Sequence, residues 1–204
     1  MSAAAGPQTG QGLTHALGRD GEFVRRAILL AEVPELERIE TRRLVGERLR
    51  EEHFDVLRAF DTDPDVMATL GGLRSENETW EQLRANLEHW EREGFGPWVF
   101  RDRESGEVRG TAALRRVRIE GRDEVEVGYR VAAAWWGRGI ATEMASRLVG
   151  LAREPLGLAE IVAFTLPHNV ASRRVMEKVG FRYERDIEWA RLPHVLYRQR
   201  LGST

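Results

Sequence analysis

The sequence predicts a mixed α/β protein of one domain, in which helices pack on a central sheet. Its 204 residues suit one domain and can bury a core without disulfides or metals. The patterned segments run in the order strand, helices, a meander of strands, helix, strand, helix and two strands, which indicates a mixed sheet. One nearly all-apolar segment, Ile161–Leu166, is typical of a central strand buried on both faces.

The N-terminal region divides into an extension and the start of the domain. Residues 1–36 are interpreted as a flexible extension with one short helix, and residues 37–204 as the folded domain, because about the first 20 residues carry no apolar periodicity. Weak alternation over Arg42–Arg50 predicts the first strand. Short helices are expected over Glu51–Phe60 and Asp65–Leu70.

A longer amphipathic helix and a hairpin are predicted next. Ser75 and Glu78 have the spacing of a capping box, which marks a helix N-terminus, and the glycine-rich segment 94–97 ends the helix. One helical face is apolar and consists of Trp80, Leu83, Leu87 and Trp90. Trp98–Arg101 and Val108–Val117 then flank a Ser-Gly turn, which indicates a hairpin.

The strand Glu124–Val131 alternates cleanly and divides its side chains between two faces. One face carries Val125, Val127, Tyr129 and Val131, and the other carries Glu126, Gly128 and Arg130. The basic run Arg115–Arg118 that precedes it is interpreted as a solvated strand edge rather than a nucleic-acid patch.

The C-terminal third alternates between helices and strands. The first helix has an apolar stripe of Ile140, Met144, Leu148 and Leu151. A second helix is predicted over Val170–Val179, with Asn169 as its N-cap and Gly180 as its C-cap. Phe181–Trp189 and Val195–Leu201 are expected to close the sheet as an antiparallel pair.

Composition excludes several classes of function. With 31 Lys and Arg against 33 Asp and Glu, the chain has no global attraction for nucleic acid or an anionic membrane, and neither partner is expected. The absence of cysteine excludes a disulfide scaffold, a thiol nucleophile and a cysteine-based zinc site. The histidines after residue 50 show no metal-ligand spacing, so no metal is expected, and a cytoplasmic location fits these features.

Two segments could bind a phosphorylated ligand. The turn Gly137–Thr142 joins a strand to a helix, and its glycines and the helix N-terminus suit a pyrophosphate, although it is neither a Walker A loop nor GxGxxG. An ordinary strand-to-helix turn is the alternative. The next predicted helix carries three basic residues and only one acidic residue, namely Arg173, Arg174 and Lys178 against Glu177.

Together these segments resemble the GNAT acetyltransferase superfamily, specifically its RimJ/RimL-like branch of protein N-terminal acetyltransferases. The resemblance covers roughly residues 40–201 and rests on the ordered pieces ETRRL, VEVGYRV, WWGRGIATE, NVASRRVMEKVGF and HVLYR. It implies the GNAT fold, in which a mixed central sheet has helices on both faces and a V-shaped splay between two parallel strands. These strands are Glu124–Val131 and Ile161–Leu166 here, and acetyl-CoA binds between them as co-substrate, without a metal.

The resemblance also implies which residues hold the cofactor. The N–H groups of the glycine turn bind the pyrophosphate, and the backbone of the first parallel strand pairs with the pantetheine arm. The asparagine contacts the pantetheine arm, and the two arginines suit the nucleotide phosphates. The implied cofactor-binding residues are Tyr129, Arg130, Val131, Trp136, Gly137, Arg138, Gly139, Ile140, Ala141, Thr142, Asn169, Ser172, Arg173 and Arg174.

Two catalytic residues follow from the same resemblance. A neutral amine attacks the thioester, and Glu126 is the candidate base that removes its proton, with an ion pair to Arg130 as the alternative. Many members place at Met176 a tyrosine that protonates the leaving thiolate, so Ser172, one turn earlier, is the candidate acid. Hydrogen bonding on the helix surface or core packing is the alternative for this serine.

The implied function is an N-acetyltransferase that acetylates a protein N-terminal α-amine. One alternative acceptor is a small amine such as an amino acid, a polyamine or a drug, and another class of function is a non-catalytic CoA-binding sensor. An acidic acceptor cleft would favour a polycation, and a groove open at both ends would favour a peptide. The sequence does not give the oligomeric state, and the resemblance adds a homodimer only as one option, because dimers are common among relatives.

Overall fold

The computed structural model describes residues 34–202 and places eight strands in one sheet. The strands are β1 (Arg38–Glu40), β2 (Leu44–Arg48), β3 (Pro97–Asp102), β4 (Val108–Ile119), β5 (Arg122–Val131), β6 (Glu160–Thr165), β7 (Arg182–Trp189) and β8 (Leu192–Arg200). The helices are α1 (Pro34–Glu37), α2 (Phe54–Asp61), α3 (Pro64–Met67), α4 (Glu76–Glu93), α5 (Ile140–Arg153) and α6 (Val170–Lys178), with 3-10 turns at Glu51–His53 and Ala133–Trp135.

The sheet is mixed, as the sequence predicts. Its strand order is β1-β2-β3-β4-β5-β6-β8-β7, and among the described strands only β5 and β6 run parallel. The hairpin of β3 and β4 and the closing pair of β7 and β8 both form. The fold class inferred from the order of the patterned segments is therefore confirmed.

Two short elements at the start of the domain lie outside the predicted set. The three residues of β1 pair with β2, and the four residues of α1 precede them. Neither is long enough to show a period in the sequence. Residues 1–33, which hold most of the expected extension, lie outside the described residues. The domain boundary at residue 37 stays a prediction, and helix α1 spans that position.

Helix α4 has the predicted N-terminal cap. The Ser75 hydroxyl accepts a hydrogen bond from the backbone N–H of Glu78, and the Glu78 carboxylate accepts one from the backbone N–H of Ser75. The helix ends at Gly94, whose φ of 72° is a left-handed conformation that suits glycine. In the last turn of the helix, the Trp90 indole N–H donates to the Pro97 carbonyl at 2.9 Å, which ties the helix to β3.

Strand β5 is buried on both of its faces. Val125 and Val127 belong to the same core cluster as the predicted α5 stripe, and all four residues of that stripe are buried. The opposite face of β5 carries Glu124 and Glu126, which are 6% and 5% exposed. The predicted alternation is correct, but the polar face lies inside the protein, so its charges need partners.

The prediction of a solvated edge at Arg115–Arg118 holds for part of the run. Strand β3 pairs with β4 only as far as Ala113, so the run extends past β3, and Arg118 is exposed. Arg115 pairs with Glu126 on β5, and Arg116 pairs with Glu93 of α4. The run is basic because the first two of its arginines neutralise buried carboxylates on neighbouring elements.

A buried histidine joins α4 to the sheet. The imidazole of His89 is 6% exposed, and its Nε2 accepts a hydrogen bond from the backbone N–H of Arg116 at 2.9 Å. Its Nδ1 lies 2.9 Å from the Phe95 carbonyl and therefore carries the proton. Burial lowers the pKa of His89, and the hydrogen bond to the Phe95 carbonyl opposes this change.

We expect acid to destabilise the protein through this residue. The folded state disfavours protonation of His89, whereas an unfolded histidine takes up a proton near its ordinary pKa of 6.5. The free energy of unfolding should therefore fall as the pH drops below about 6.5. Urea unfolding between about pH 7.5 and pH 5 measures this, and H89Q should show a flatter pH dependence than the parent protein.

The matched control for this experiment is H168Q, because His168 is exposed. It should keep the parental pH dependence. A parental slope in H89Q would contradict the assignment, and the buried His53, whose pKa is also lowered by burial, would then be the next residue to test.

Candidate active site

The parallel strands β5 and β6 separate soon after they meet. They share a single pair of register partners among the described residues, Glu126 and Val162. Strand β4 pairs with β5 as far as Val131, and β8 pairs with β6 over its whole length. One backbone edge of Gly128–Val131 therefore faces a gap, and such an edge can pair with an extended ligand.

The glycine turn lies at the carboxyl end of β5 and leads into α5. Gly137 and Gly139 have φ values of 72° and 76°, which residues with a Cβ rarely adopt. Helix α5 begins at Ile140 with Gly139 as its N-cap and without a side-chain capping bond. The first N–H groups of a helix have no intrahelical partner, so this end of α5 can bind an anion.

Two tryptophans hold the segment that precedes the turn. The Trp135 ring lies against the guanidinium groups of Arg109 and Arg138, whose Cζ atoms are 3.4 and 4.5 Å from its centroid. The Trp136 indole N–H donates to the Val131 carbonyl at 2.8 Å, and 52% of this residue is exposed. The predicted site residues Trp136 and Arg138 therefore lie together at the mouth of the gap.

Glu126 lies where the two strands separate, and its partner differs from the predicted alternative. Its Oε2 accepts a hydrogen bond from Arg115 Nη2 at 2.9 Å, whereas Arg130 binds Asp61. The expected pair with Arg130 is wrong because Arg115 is the residue directly opposite on β4. Directly opposite Cβ atoms lie about 5 Å apart, closer than residues two apart along one strand.

Gly128 leaves room for this ion pair beside the gap. A Cβ on Gly128 would lie 3.1 Å from Arg115 Nη2 and 3.4 Å from Glu126 Oε1. Any larger residue would therefore displace the guanidinium or the carboxylate. The missing side chain places the Glu126 carboxylate next to the part of β5 that faces the gap.

A fully buried carboxylate anchors the helices that cover this side of the sheet. Asp61, at the end of α2, accepts hydrogen bonds from Arg74 at 2.9 Å, from Arg130 at 2.6 Å and from the Thr79 hydroxyl at 2.9 Å. Burial lowers the pKa of Arg130, and Asp61 opposes this change. The Arg130 side chain is thus held by α2, and its backbone is what borders the gap.

Tyr129 and Ser172 meet on the other face of β5. The Tyr129 hydroxyl donates to the Ser172 carbonyl at 3.0 Å and lies 3.1 Å from the Ser172 hydroxyl. Asn169 caps α6 as predicted, because its Oδ1 accepts the backbone N–H of Ser172. Burial raises the pKa of Tyr129 to about 12, so its phenol is neutral at physiological pH. The sequence predicts a backbone role for Tyr129 and misses this hydroxyl pair.

The two arginines expected at the nucleotide phosphates lie in different environments. The Arg173 guanidinium donates to the Tyr197 hydroxyl at 3.1 Å and to the Pro167 carbonyl at 3.2 Å. The Arg174 side chain is exposed. Their phosphate roles stay predictions.

The described residues offer neither a metal site nor a membrane span. Across residues 34–202, no three His, Asp or Glu side chains are grouped in a way that could hold a metal ion. Within the same range, no helix has the length and apolar character needed to cross a bilayer.

Comparison with known proteins identifies related sequences. The family described as acetyltransferase (GNAT) domain matches residues 43–182. The FsC-acetyl coenzyme A-N(2)-transacetylase of Aspergillus fumigatus is 35% identical over 156 residues, which cover 70% of this chain and 63% of that protein.

Solved structures share the fold. A GnaT-family acetyltransferase from Bordetella pertussis has a TM-score of 0.70 and 28% identity, over 79% of this chain and 98% of that one. The RimL ribosomal L7/L12 α-N-protein acetyltransferase in complex with coenzyme A has a TM-score of 0.68, over 80% of this chain and 98% of that one. At 17% identity, the RimL likeness shows the fold alone.

Proposed function

Because the chain belongs to the acetyltransferase (GNAT) family, we propose that it acetylates the N-terminal α-amine of a protein, with acetyl-CoA as the donor. Family membership supports acetyl transfer to an amine, and the kind of amine is what we infer. The observation that carries the proposal is the Glu126–Arg115 pair at the point where β5 and β6 separate.

The residues present fit acetyl-CoA. The gap beside Gly128–Val131 offers an unpaired backbone edge, and the turn at Gly137 and Gly139 leads into a helix N-terminus without a side-chain cap. The backbone edge suits the pantetheine amides, and the helix end suits the pyrophosphate. Acetyl-CoA supplies the thioester whose carbonyl carbon the amine attacks.

Glu126 takes the proton from the acceptor amine, directly or through a water molecule. Arg115 binds Oε2 of the carboxylate, and Oε1 is the oxygen that can accept a hydrogen bond or a proton. At pH 7 an α-amine is roughly one-tenth neutral, whereas a lysine amine is neutral in fewer than about one molecule in a thousand. A carboxylate is a weak base, and the α-amine needs a base less often than a lysine amine does.

Charge on this side of the sheet also favours an acceptor with one amine. Asp61 and Glu126 already have arginine partners, namely Arg74, Arg130 and Arg115. Neither buried carboxylate offers a free negative charge to the second amine of a polyamine. This supports a peptide or another mono-amine over a polycation.

Ser172 and Tyr129 return a proton to the leaving thiolate. The Ser172 hydroxyl donates its proton to sulfur. The neutral Tyr129 phenol then turns from the Ser172 carbonyl to the serine oxygen and donates its proton there, and water restores the proton of Tyr129. The two hydroxyl groups are 3.1 Å apart, which is a hydrogen-bond distance.

A small-molecule acceptor is the second candidate. The observation that favours it is the Aspergillus fumigatus relative, at 35% identity, whose name describes an N(2)-transacetylase that acts on FsC. Its acceptor would present an amine to the same Glu126.

Two matched peptides test the acceptor. One has a free α-amine and no lysine, and the other has a blocked N-terminus and one lysine. We expect acetylation of the first peptide to be at least about tenfold faster, because its amine is more often neutral. Mass spectrometry after incubation with acetyl-CoA measures both rates.

Failure with both peptides would contradict the N-terminal acceptor. Radiolabelled acetyl-CoA and a bacterial extract, split into protein and small-molecule fractions, would then decide between the alternatives. Label in small molecules would support the second candidate. Calorimetric binding of acetyl-CoA without transfer to either fraction would indicate a sensor.

The substitution E126Q tests the base. We expect kcat to fall about 100-fold and the loss to shrink at high pH, where the amine is neutral without help. The matched control is E124Q, because Glu124 lies on the same face of β5 and is also buried, in an ion pair with Arg198. A parental pH profile of kcat in E126Q, or the same altered profile in E124Q, would refute the assignment.

The substitution S172A tests the acid. We expect kcat to fall about 100-fold while the KM for acetyl-CoA changes little. In Y129F the kcat should fall by a smaller factor, because the serine hydroxyl remains. K178Q, at the exposed end of the same helix, should behave like the parent protein. Pre-steady-state kinetics of thiol release measure the step, and unchanged release in S172A would disprove the role.

A further inference from the structure

The loop between β1 and β2 contacts the first turn of α5, although the two segments are about 100 residues apart. The carboxylate of Glu143 accepts hydrogen bonds from the Thr41 hydroxyl at 2.6 Å and from the backbone N–H of Arg43 at 2.8 Å. Arg43 Nε donates to the second carboxylate oxygen at 2.7 Å. These two segments are the ETRRL and WWGRGIATE pieces, whose contact the proposed function does not use.

The same guanidinium reaches the glycine turn. Arg43 Nη1 donates to the Arg138 carbonyl at 3.0 Å, inside the turn. Its Nη2 lies 3.7 Å from the position that a Cβ on Gly139 would take. Arg43 thus bridges the turn and the helix that follows it.

Glu143 would by itself oppose the binding of a pyrophosphate. It lies in the first turn of α5, the helix end that would hold the phosphates. Burial would raise the pKa of Glu143, but the hydrogen bonds from Thr41 and Arg43 outweigh it and lower the pKa. The carboxylate is therefore ionised at neutral pH, and a second anion nearby is repelled unless a cation compensates it.

The loop itself is held from its other side. The backbone N–H of Arg103 donates to the Arg43 carbonyl at 2.9 Å, and the Arg103 guanidinium donates to the Thr41 carbonyl at 2.9 Å. Arg103 also pairs with Glu40. The Arg43 backbone is therefore fixed, and its side chain has a defined direction toward the turn.

We propose that Arg43 is a positioning residue for the donor: it neutralises Glu143 and fixes the Arg138 carbonyl, so that the turn can bind the pyrophosphate of acetyl-CoA. This inference rests on the proposed function. Arg43 acts through Glu143 and the turn, and it takes no part in the transfer of the acetyl group or of a proton.

Two acetyl donors separate this role from a general structural one. S-acetylpantetheine carries the same thioester as acetyl-CoA and lacks the pyrophosphate. We expect R43Q to raise the KM for acetyl-CoA about tenfold, with kcat changed less than about twofold, because a charge-assisted contact near the phosphates is lost. The KM for S-acetylpantetheine should stay within about twofold of the parental value.

The double variant R43Q/E143Q tests the charge argument. Removal of the uncompensated carboxylate should recover part of the affinity, to within about threefold of the parent. R42Q is the matched control, because Arg42 is the neighbouring arginine of the same loop and its side chain is exposed. It should leave the KM for both donors unchanged.

Three results would overturn the inference. They are equal losses with both donors in R43Q, equal losses in R43Q and R42Q, or a parental KM for acetyl-CoA in R43Q. Calorimetry of the parent protein with CoA is measured first and separates this inference from the proposed function. CoA binding without acetyl transfer would refute the proposed function alone, and the CoA affinities of the same variants would then decide on Arg43; absence of CoA binding would refute both.

Discussion

The separation of β5 from β6 is the constraint on which the arrangement of the site depends. After the Glu126–Val162 pair, each strand continues beside its other neighbour, β5 beside β4 and β6 beside β8, and the facing edges of β5 and β6 share no further register pair among the described residues. Backbone groups in the gap need water or a ligand as partners. The turn at Gly137 follows the same strand, and this places a helix N-terminus that suits a phosphate beside the unpaired edge.

The burial of β5 on both faces determines what covers the acceptor side. Three charged residues on its polar face need partners, and each partner comes from a different element: Glu124 binds Arg198 on β8, Glu126 binds Arg115 on β4, and Arg130 binds Asp61 on α2. Loss of one partner of such a pair leaves an uncompensated buried charge, which costs about 3–5 kcal/mol. The pair between Arg130 and Asp61 holds α2 over β5, and the other two pairs tie β5 to β4 and β8.

Local patterns predicted the elements well, and contacts between distant segments account for what they missed. The capping box at Ser75, the alternation along β5 and the glycine turn each depend on a few neighbouring residues, and all are visible in the sequence. The partner of Glu126 depends on the register of β4 against β5, and Asp61 and Arg130 are 69 residues apart. Spacing along the chain carries no signal for such pairs, since only the folded sheet brings them together.

The chemistry of arginine suits each of these contacts. A guanidinium group has five donors in a fixed plane and can bind two acceptors at once, whereas an ammonium group is a point charge. Arg130 binds Asp61 and the Thr111 hydroxyl, and Arg43 binds Glu143 and the Arg138 carbonyl. A lysine at either position would keep the charge and lose the bridge. Both halves of the site, for donor and for acceptor, therefore depend on the geometry of arginine as well as on its charge.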